Sequence, residues 1–113
     1  MESLKKTEDF RNVYTKGRSF ADRNLVVYVW KNGLTKNRLG ISCSKKIGNS
    51  VVRHHFARLI REITRLHEEA FHSGWDVVVV ARFNSKQADY HQLEASFIKL
   101  AEKAHLTKNN ERV

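Results

Sequence analysis

The chain has 113 residues and one cysteine, and its 21 lysines and arginines against 12 acidic residues give a net charge of +9. The length predicts one domain over residues 1–113. The lack of a run near the roughly 20 apolar residues that span a bilayer, and of a signal peptide, predicts a cytoplasmic protein that does not enter a membrane. The charge excess is larger than solubility needs and favours a nucleic acid as the partner.

Residues 7–17, TEDFRNVYTKG, predict a short helix. Thr7 can cap the free amide groups at its start, the acidic residues at the next two positions suit its positive end, and Gly17 can end it. The helical spacing gives it one apolar face, which consists of Phe10, Val13 and Tyr14.

The next part of the chain has the composition of a β-sheet. LVVYVWK at 25–31 is rich in β-branched and aromatic residues, and RLGISCSK at 38–45 is a candidate partner strand. Asn32-Gly33 between them is a strong hairpin dipeptide, although the long loop leaves the register open. A third strand is a candidate around residues 18–23.

From Ser50 to about Ala70 the apolar residues recur with the period of a helix. Asn49 or Ser50 can cap its start, and the glycine of HSGW can stop it. Its apolar stripe consists of Val52, Phe56, Leu59, Ile60, Ile63 and Leu66.

The last third of the chain predicts a strand and a helix. WDVVVVAR at 75–82 is a continuous apolar run, which is typical of a central strand covered on both faces. Asp89 and Gln92 have the spacing of a capping box. The helix that follows has apolar residues at helical spacing, namely Leu93, Phe97, Leu100 and Ala104.

These elements predict an α+β fold in which three helices pack on a small, mainly antiparallel sheet, in the chain order α-β-β-β-α-β-α. Residues 38–82 form a strand, helix and strand unit. The sequence alone gives no reason to depart from the usual right-handed crossover in this unit.

One face of the helix that begins near residue 50 is cationic. At 100° per residue, the side chains aligned opposite the apolar stripe are His54, Arg58, Arg61 and Arg65. Arg53 flanks this face, and Lys45 and Lys46 lie in the loop before it. Residues 38–65 hold seven lysines and arginines against one acid, so they carry +6 of the total +9. A solvated face usually interleaves acids with bases, so this cluster favours an anionic partner.

The adjacent His54 and His55 raise the alternative of a metal or acid/base site. Neighbours on a helix diverge by about 100°, and the residues four positions further on, Arg58 and Leu59, are not metal ligands. No serine, histidine and acid arrangement, paired carboxylate motif or phosphate-binding glycine loop stands out. We therefore expect no metal site and no catalytic residue in this chain, and we interpret the histidines as phosphate neighbours or surface residues.

Aromatic residues give a second candidate site. On a strand over 25–31, Tyr28 shares a face with Trp30, and Ser42 and Arg82 could project to the same side from neighbouring strands. Phe10 and Tyr14 could approach from the first helix. Ordinary core packing is one interpretation of these rings, and a cleft that stacks unpaired bases beside an arginine is the other.

Four stretches carry a family pattern: LKKTEDFRNVYTKGRSF near the start, RLGISCSKKIGNSVV before the basic helix, RLIRE within it, and DVVVVAR after it. The combination is hard to reach by chance. On these stretches the sequence resembles the bacterial ribonuclease P protein subunit over nearly its full length.

The resemblance implies a protein cofactor of a ribonucleoprotein endonuclease. Such proteins bind a large catalytic RNA and help it remove 5′ leaders from precursor transfer RNAs, while cleavage belongs to the RNA and its magnesium ions. The partners implied are the RNA subunit and the precursor, with no obligate protein partner. The fold implied is like the second domain of ribosomal protein S5, with a rare left-handed crossover between the strands that flank the basic helix.

The resemblance also implies two sets of site residues. It places Lys45, Lys46, Arg53, Arg58 and Arg61 against the RNA subunit, and the charge pattern adds His54, His55 and Arg65 to that surface. The cleft that holds the single-stranded leader is matched by Phe10, Tyr14, Tyr28, Ser42 and Arg82.

The signature helix departs from the family pattern. Family members usually read arginine, asparagine, a basic residue, any residue, lysine and arginine, whereas this chain reads RHHFAR. His54 replaces the asparagine, His55 a basic residue and Ala57 a lysine. Weaker RNA binding, compensation by Arg65, and a histidine contribution that grows on acidification are all open. We hypothesise that protonated histidines strengthen binding below about pH 6.5, where free histidine gains its proton.

Three other interpretations stay open. A helix-turn-helix DNA-binding protein could use residues 50–67, but no preceding helix lies at the turn spacing. A ribosome-type RNA scaffold would share the cationic face and lack a leader cleft. A stand-alone protein nuclease would cleave RNA without an RNA subunit.

Overall fold

Five strands and three helices follow one another in residues 1–108, the part of the chain that the computed structural model describes. Residues 109–113, which end the predicted domain over residues 1–113, lie outside the described part. The elements are β1 (Glu2–Ser3), α1 (Thr7–Lys16), β2 (Arg18–Ala21), β3 (Leu25–Lys31), β4 (Arg38–Ser42), α2 (Ser50–His67), β5 (Trp75–Ala81) and α3 (Tyr90–Lys103). Two 3-10 turns follow α2 and β5, at Glu68–Ala70 and Phe83–Gln87.

The strands form one sheet in the order β1-β4-β5-β3-β2. β5 is central, parallel to β4 and antiparallel to β3, while β1 adds in parallel outside β4 and β2 in antiparallel outside β3. The α+β class with three helices and the central position of β5 are confirmed. The sheet is mixed rather than mainly antiparallel, and β1 is a strand that the sequence did not reveal.

The predicted hairpin between residues 25–31 and 38–45 is wrong, because β5 lies between β3 and β4. The chain does bend at Asn32-Gly33, where Gly33 has a φ of 74° and the Leu34 N–H donates to the Asn32 side chain at 2.7 Å. β3 nevertheless pairs along its whole length with β5. The continuous apolar run of β5 needs cover on both faces and neighbours on both edges, which only a central place supplies.

The sheet separates two apolar layers. One face packs against α2 and α3 and forms the main core, to which β3 contributes Leu25, Val27 and Val29. The opposite face packs against α1, where Val13 and Val78 are buried and Tyr28 and Trp30 are half-buried. Because α1 is the only helix on this face within residues 1–108, part of it is left open.

α2 connects β4 to β5, so residues 38–82 form the predicted unit of two parallel strands and a helix. The left-handed sense that the resemblance implies stays a prediction. The side chain of Asn49 caps α2 by accepting a hydrogen bond from the Val52 N–H at 3.0 Å. The capping box of Asp89 and Gln92 at the start of α3 is confirmed.

Two details of the helices differ from the prediction. Thr7 is the first residue of α1 and not its cap, a position that Lys6 occupies. Leu66 is 54% exposed, whereas Thr64 is buried at 2%. At 100° per residue Leu66 lies about 120° from Ile60, outside the arc of α2 that faces the sheet.

Candidate nucleic-acid interface

α2 presents a cationic face to solvent, as predicted. The exposed side chains on this helix include His54, His55, Arg58, Arg61 and Arg65. Lys45 and Lys46 are exposed on the turn that leads into the helix. Ile47 anchors this turn in the core and donates its N–H to the Ser44 carbonyl at 3.0 Å. The lysines are therefore held in front of the N-terminus of α2.

Two of the seven cations in residues 38–65 pair with carboxylates of the protein itself. Arg65 donates two hydrogen bonds to Glu62, at 3.1 and 2.6 Å, and this contact lowers the pKa of the Glu62 carboxyl. Arg38 forms an ion pair with Asp76 on the neighbouring strand. The cations that pair with no carboxylate within residues 1–108 are Lys45, Lys46, Arg53, Arg58 and Arg61.

Arg53 differs from the other cations of α2 because it is half-buried. Its Nε atom is shielded from solvent and has no hydrogen-bond partner within residues 1–108. It lies at the edge of α2 that faces β4, beside Ile41 and Cys43. Burial raises the pKa of the Cys43 thiol, and the charge of Arg53 opposes that shift.

The predicted aromatic residues come together between α1 and the sheet. The ring centroids of Phe10 and Tyr14 are 6.3 Å apart, and those of Tyr14 and Tyr28 are 4.9 Å apart in an edge-to-face arrangement. Tyr14 is 40% exposed. Phe10 lies over Gly40, where a Cβ would stand only 2.6 Å from the ring, so a side chain at that position would displace it.

Ser42 and Arg82 extend this site beyond α1. Ser42 pairs with Val80, and Tyr28 pairs with Val78, two residues earlier on the same strand. Because side chains alternate along a strand, Ser42, Val80 and Tyr28 all lie on the α1 side of the sheet. Arg82 is exposed just past the end of β5, and its Nη1 donates to the Asp22 carbonyl at 3.1 Å. We call the surface formed by Phe10, Tyr14, Tyr28, Ser42 and Arg82 the aromatic cleft.

The sequence did not reveal how α1, which forms one wall of the aromatic cleft, is held against the sheet. Arg38 bridges Asp76 on β5 and Asp9 on α1, with 3.5 Å between its Nη1 and the Asp9 carboxylate. The sequence did contain a sign of this ion pair, namely the single acid in the apolar run WDVVVVAR. A carboxylate in a strand buried on both faces requires a paired cation.

Neither a metal site nor a membrane segment emerges from the described residues. Within residues 1–108, no three histidine, cysteine or acidic side chains lie close enough to hold a metal ion. No helix in the same range is long and apolar enough to cross a bilayer.

Comparison with known proteins agrees with the motifs and the geometry. The family model described as Ribonuclease P matches residues 1–105. The chain belongs to the ribonuclease P protein family. The ribonuclease P protein component of Lachnoclostridium phytofermentans is 50% identical over 110 residues, which cover 97% of this chain and 95% of the relative.

Solved structures of ribonuclease P proteins have the same fold. The Staphylococcus aureus protein is 36% identical and superimposes with a TM-score of 0.88, covering 96% of this chain and 99% of that one. A mutant of the S. aureus protein, described as having defective mRNA degradation activity, is 37% identical with a TM-score of 0.86, covering 92% of this chain and 88% of that one.

Proposed function

We propose that the chain is the cytoplasmic, RNA-binding protein subunit of ribonuclease P and assists removal of the 5′ leader from precursor transfer RNA. In this proposal the cationic face of α2 and the turn before it bind the catalytic RNA, and the aromatic cleft holds the leader. The observation that carries the proposal is the segregation of unpaired cations on α2 from clustered aromatic rings under α1, within a chain of this family.

The two surfaces suit two forms of RNA. Structured RNA presents closely spaced phosphates, and each lysine or arginine that neutralises one releases a condensed counterion. A single-stranded leader presents unpaired bases, which stack on aromatic rings without regard to sequence. The cleft therefore suits leaders of different sequence, and the cationic face suits one folded partner.

Chemistry is assigned to the RNA. The polar groups on both surfaces are guanidinium, ammonium, imidazole and phenol groups and the Ser42 hydroxyl, all of which can bind RNA. The role of the chain is to hold the leader and the catalytic RNA in one complex and to offset phosphate repulsion between them. Magnesium, which the family implies, is in this proposal held by the RNA.

The test is reconstitution. Purified chain is added to a ribonuclease P RNA at low magnesium, and removal of the 5′ leader from a precursor transfer RNA is followed with RNA alone, protein alone and both. The proposal expects acceleration only with both. A ribosome-type scaffold would leave the cleavage rate unchanged, and a DNA-binding protein would prefer duplex DNA to the catalytic RNA.

A second candidate is RNA cleavage by the polypeptide itself. The description of the S. aureus mutant attributes mRNA degradation activity to that protein. The protein-alone arm, with an unstructured RNA and with the precursor, tests it here. Cleavage of either substrate by protein that has been freed of co-purified RNA would favour this second function.

A further inference from the structure

A groove runs along α2 on the side that faces β4. It consists of two pockets of about 350 Å³ and about 180 Å³ that adjoin at Ile41 and Ala57, since both residues line both pockets. We call it the α2/β4 groove. The larger pocket falls within the range of ordinary small-ligand sites, roughly 300–1,000 Å³.

The groove is open beside the residue where this chain departs from its family pattern. Ala57 lies on α2 one turn after Arg53 and one turn before Arg61, and its methyl group leaves both pockets accessible. The lysine that family members usually carry here has a long stem that would occupy the space the pockets share. Relative to that pattern, the alanine removes a charge and leaves the shared space open.

The groove has an apolar floor and a cationic rim. Leu4, Leu39 and Ile41 line the floor, and Phe10 also lines the larger pocket. Arg53 and Arg61 stand at the rim, and no aspartate or glutamate among residues 1–108 lines either pocket. A fitting ligand has an apolar flat body and a negative charge attached to it, which is the chemistry of a nucleotide.

Arg53 supplies a specific polar contact. Its Nε donor is buried beside the smaller pocket and has no partner within residues 1–108. A buried donor without an acceptor is costly, so rotation of the Arg53 side chain toward the pocket, where a ligand acceptor could bond to Nε, would remove that cost. Carbonyl oxygens and ring nitrogens on the edge of a base, or a phosphate oxygen, are such acceptors.

We infer that the α2/β4 groove takes one unpaired nucleotide of the RNA subunit, with its base between Ala57 and Ile41 and its phosphate at the arginine rim. The inference rests on the proposed function, because it requires structured RNA to lie along α2. The groove shares Phe10 with the aromatic cleft, and the Phe10 ring is 6.3 Å from that of Tyr14. The two RNA surfaces therefore meet at one side chain.

Substitutions at position 57 separate base insertion from simple charge attraction. Ala57→Leu fills the groove without charge, and Ala57→Lys fills it and adds a cation. Ala95→Leu makes the same change at an exposed alanine of α3 and is the matched control. Leucine and lysine are good helix formers at the half-buried position 57, so α2 is expected to persist. Circular dichroism and thermal unfolding check that it does.

The readout is affinity for the RNA subunit at several salt concentrations. We expect Ala57→Leu to weaken binding by up to roughly 100-fold, the upper value for loss of one base stacked on an aromatic ring, with an unchanged salt slope. Ala57→Lys is expected to weaken binding despite its added charge, and Ala95→Leu to match the wild type. Tighter binding by Ala57→Lys together with unchanged binding by Ala57→Leu would overturn the inference.

Alkylation of Cys43 gives an independent measurement, because this residue lines the smaller pocket and is the only cysteine of the chain. The RNA subunit at saturation is expected to slow the reaction more than an RNA duplex of equal length, which has no unpaired base to insert. Equal protection by both RNAs would contradict the inference. If the wild type does not bind the RNA subunit at all, the proposed function fails together with the groove inference. If it binds but both RNAs protect Cys43 equally, only the groove inference fails.

Discussion

Arg38 and Asp76 form a bidentate ion pair between neighbouring strands, with Arg38 Nε 2.8 Å from Asp76 Oδ1 and Nη2 2.7 Å from Oδ2. The Asp76 carboxylate is 0% exposed and also accepts a hydrogen bond from Asn32. Because Arg38 reaches Asp9 as well, the pair joins the centre of the sheet to the helix that forms the wall of the aromatic cleft.

We expect Asp76→Ala to lower the free energy of unfolding by about 3 kcal/mol, the lower end for a broken buried pair, because Arg38 loses its buried partner but is partly exposed and stays near Asp9. Urea denaturation at pH 7 measures the change. Glu2→Ala, which removes the exposed carboxylate that pairs with Lys36, is the control and should have little effect. Equal small effects of both substitutions would contradict this role of the buried pair.

The aromatic cleft predicts a separation between the two RNA partners. Tyr14→Ala and Tyr28→Ala are each expected to weaken affinity for precursor transfer RNA by roughly 5- to 100-fold, because each removes a stacking ring. Affinity for the RNA subunit alone should not change. Tyr14→Phe and Tyr28→Phe keep the rings and serve as controls. Unchanged precursor affinity in the alanine variants would remove the leader role from this cleft.

The histidines of RHHFAR predict a pH dependence of RNA binding. Both are exposed beside the unpaired Arg58, so protonation adds positive charge to a surface proposed to meet phosphate. Affinity for the RNA subunit should rise between pH 8 and pH 5.5 in the wild type and rise less in the double variant His54→Ala, His55→Ala. Identical profiles for the two proteins would exclude this contribution.

Asp22 predicts a pH dependence of stability. Burial raises the pKa of its carboxyl, but hydrogen bonds from Ser96 and from the amides of Leu25 and Asn24, together with Lys99, outweigh burial and hold the pKa below its ordinary value of 3.8. A depressed pKa stabilises the fold above the unfolded-state value, and that contribution disappears as the pH falls through the folded-state value.

Asp22→Asn should therefore be less stable than the wild type at pH 7, with the difference shrinking as the pH falls below about 4. Urea denaturation at pH 7, 5, 4 and 3 follows the difference. Tyr14→Phe, which changes an exposed ring without altering charge below neutral pH, is the control. A difference that is constant across this range would show that the carboxylate charge of Asp22 is not the stabilising feature.

Local patterns in the sequence were enough for most elements but not for their neighbours in space. The period of α2 and the capping box of α3 depend on residues within a few positions, and both formed as expected. The pairing of β3 depends on β5, a strand 44 or more residues later along the chain, and the Asn32-Gly33 turn could not indicate it. The pairing of β3 was thus set by burial in the tertiary structure and not by the local preference of Asn32-Gly33 for a turn.

In the candidate site, too, local geometry could be predicted from the sequence but contacts between side chains could not. Helical geometry alone placed Arg58 and Arg61 on one exposed face. It did not indicate that Arg65 is held by Glu62 or that Arg53 turns its Nε into the protein. Those two differences depend on rotamers and on the approach of β4, which a helical wheel does not contain.

The central claim is that unpaired cations on α2 and the turn before it bind structured RNA. The most direct measurement is the slope of log affinity for ribonuclease P RNA against log salt concentration, in the wild type, Lys45→Ala and Arg58→Ala. Each substitution should flatten the slope by about one unit, whereas Lys103→Ala, an exposed lysine at the end of α3, should not. Equal slopes in all four proteins would contradict the claim.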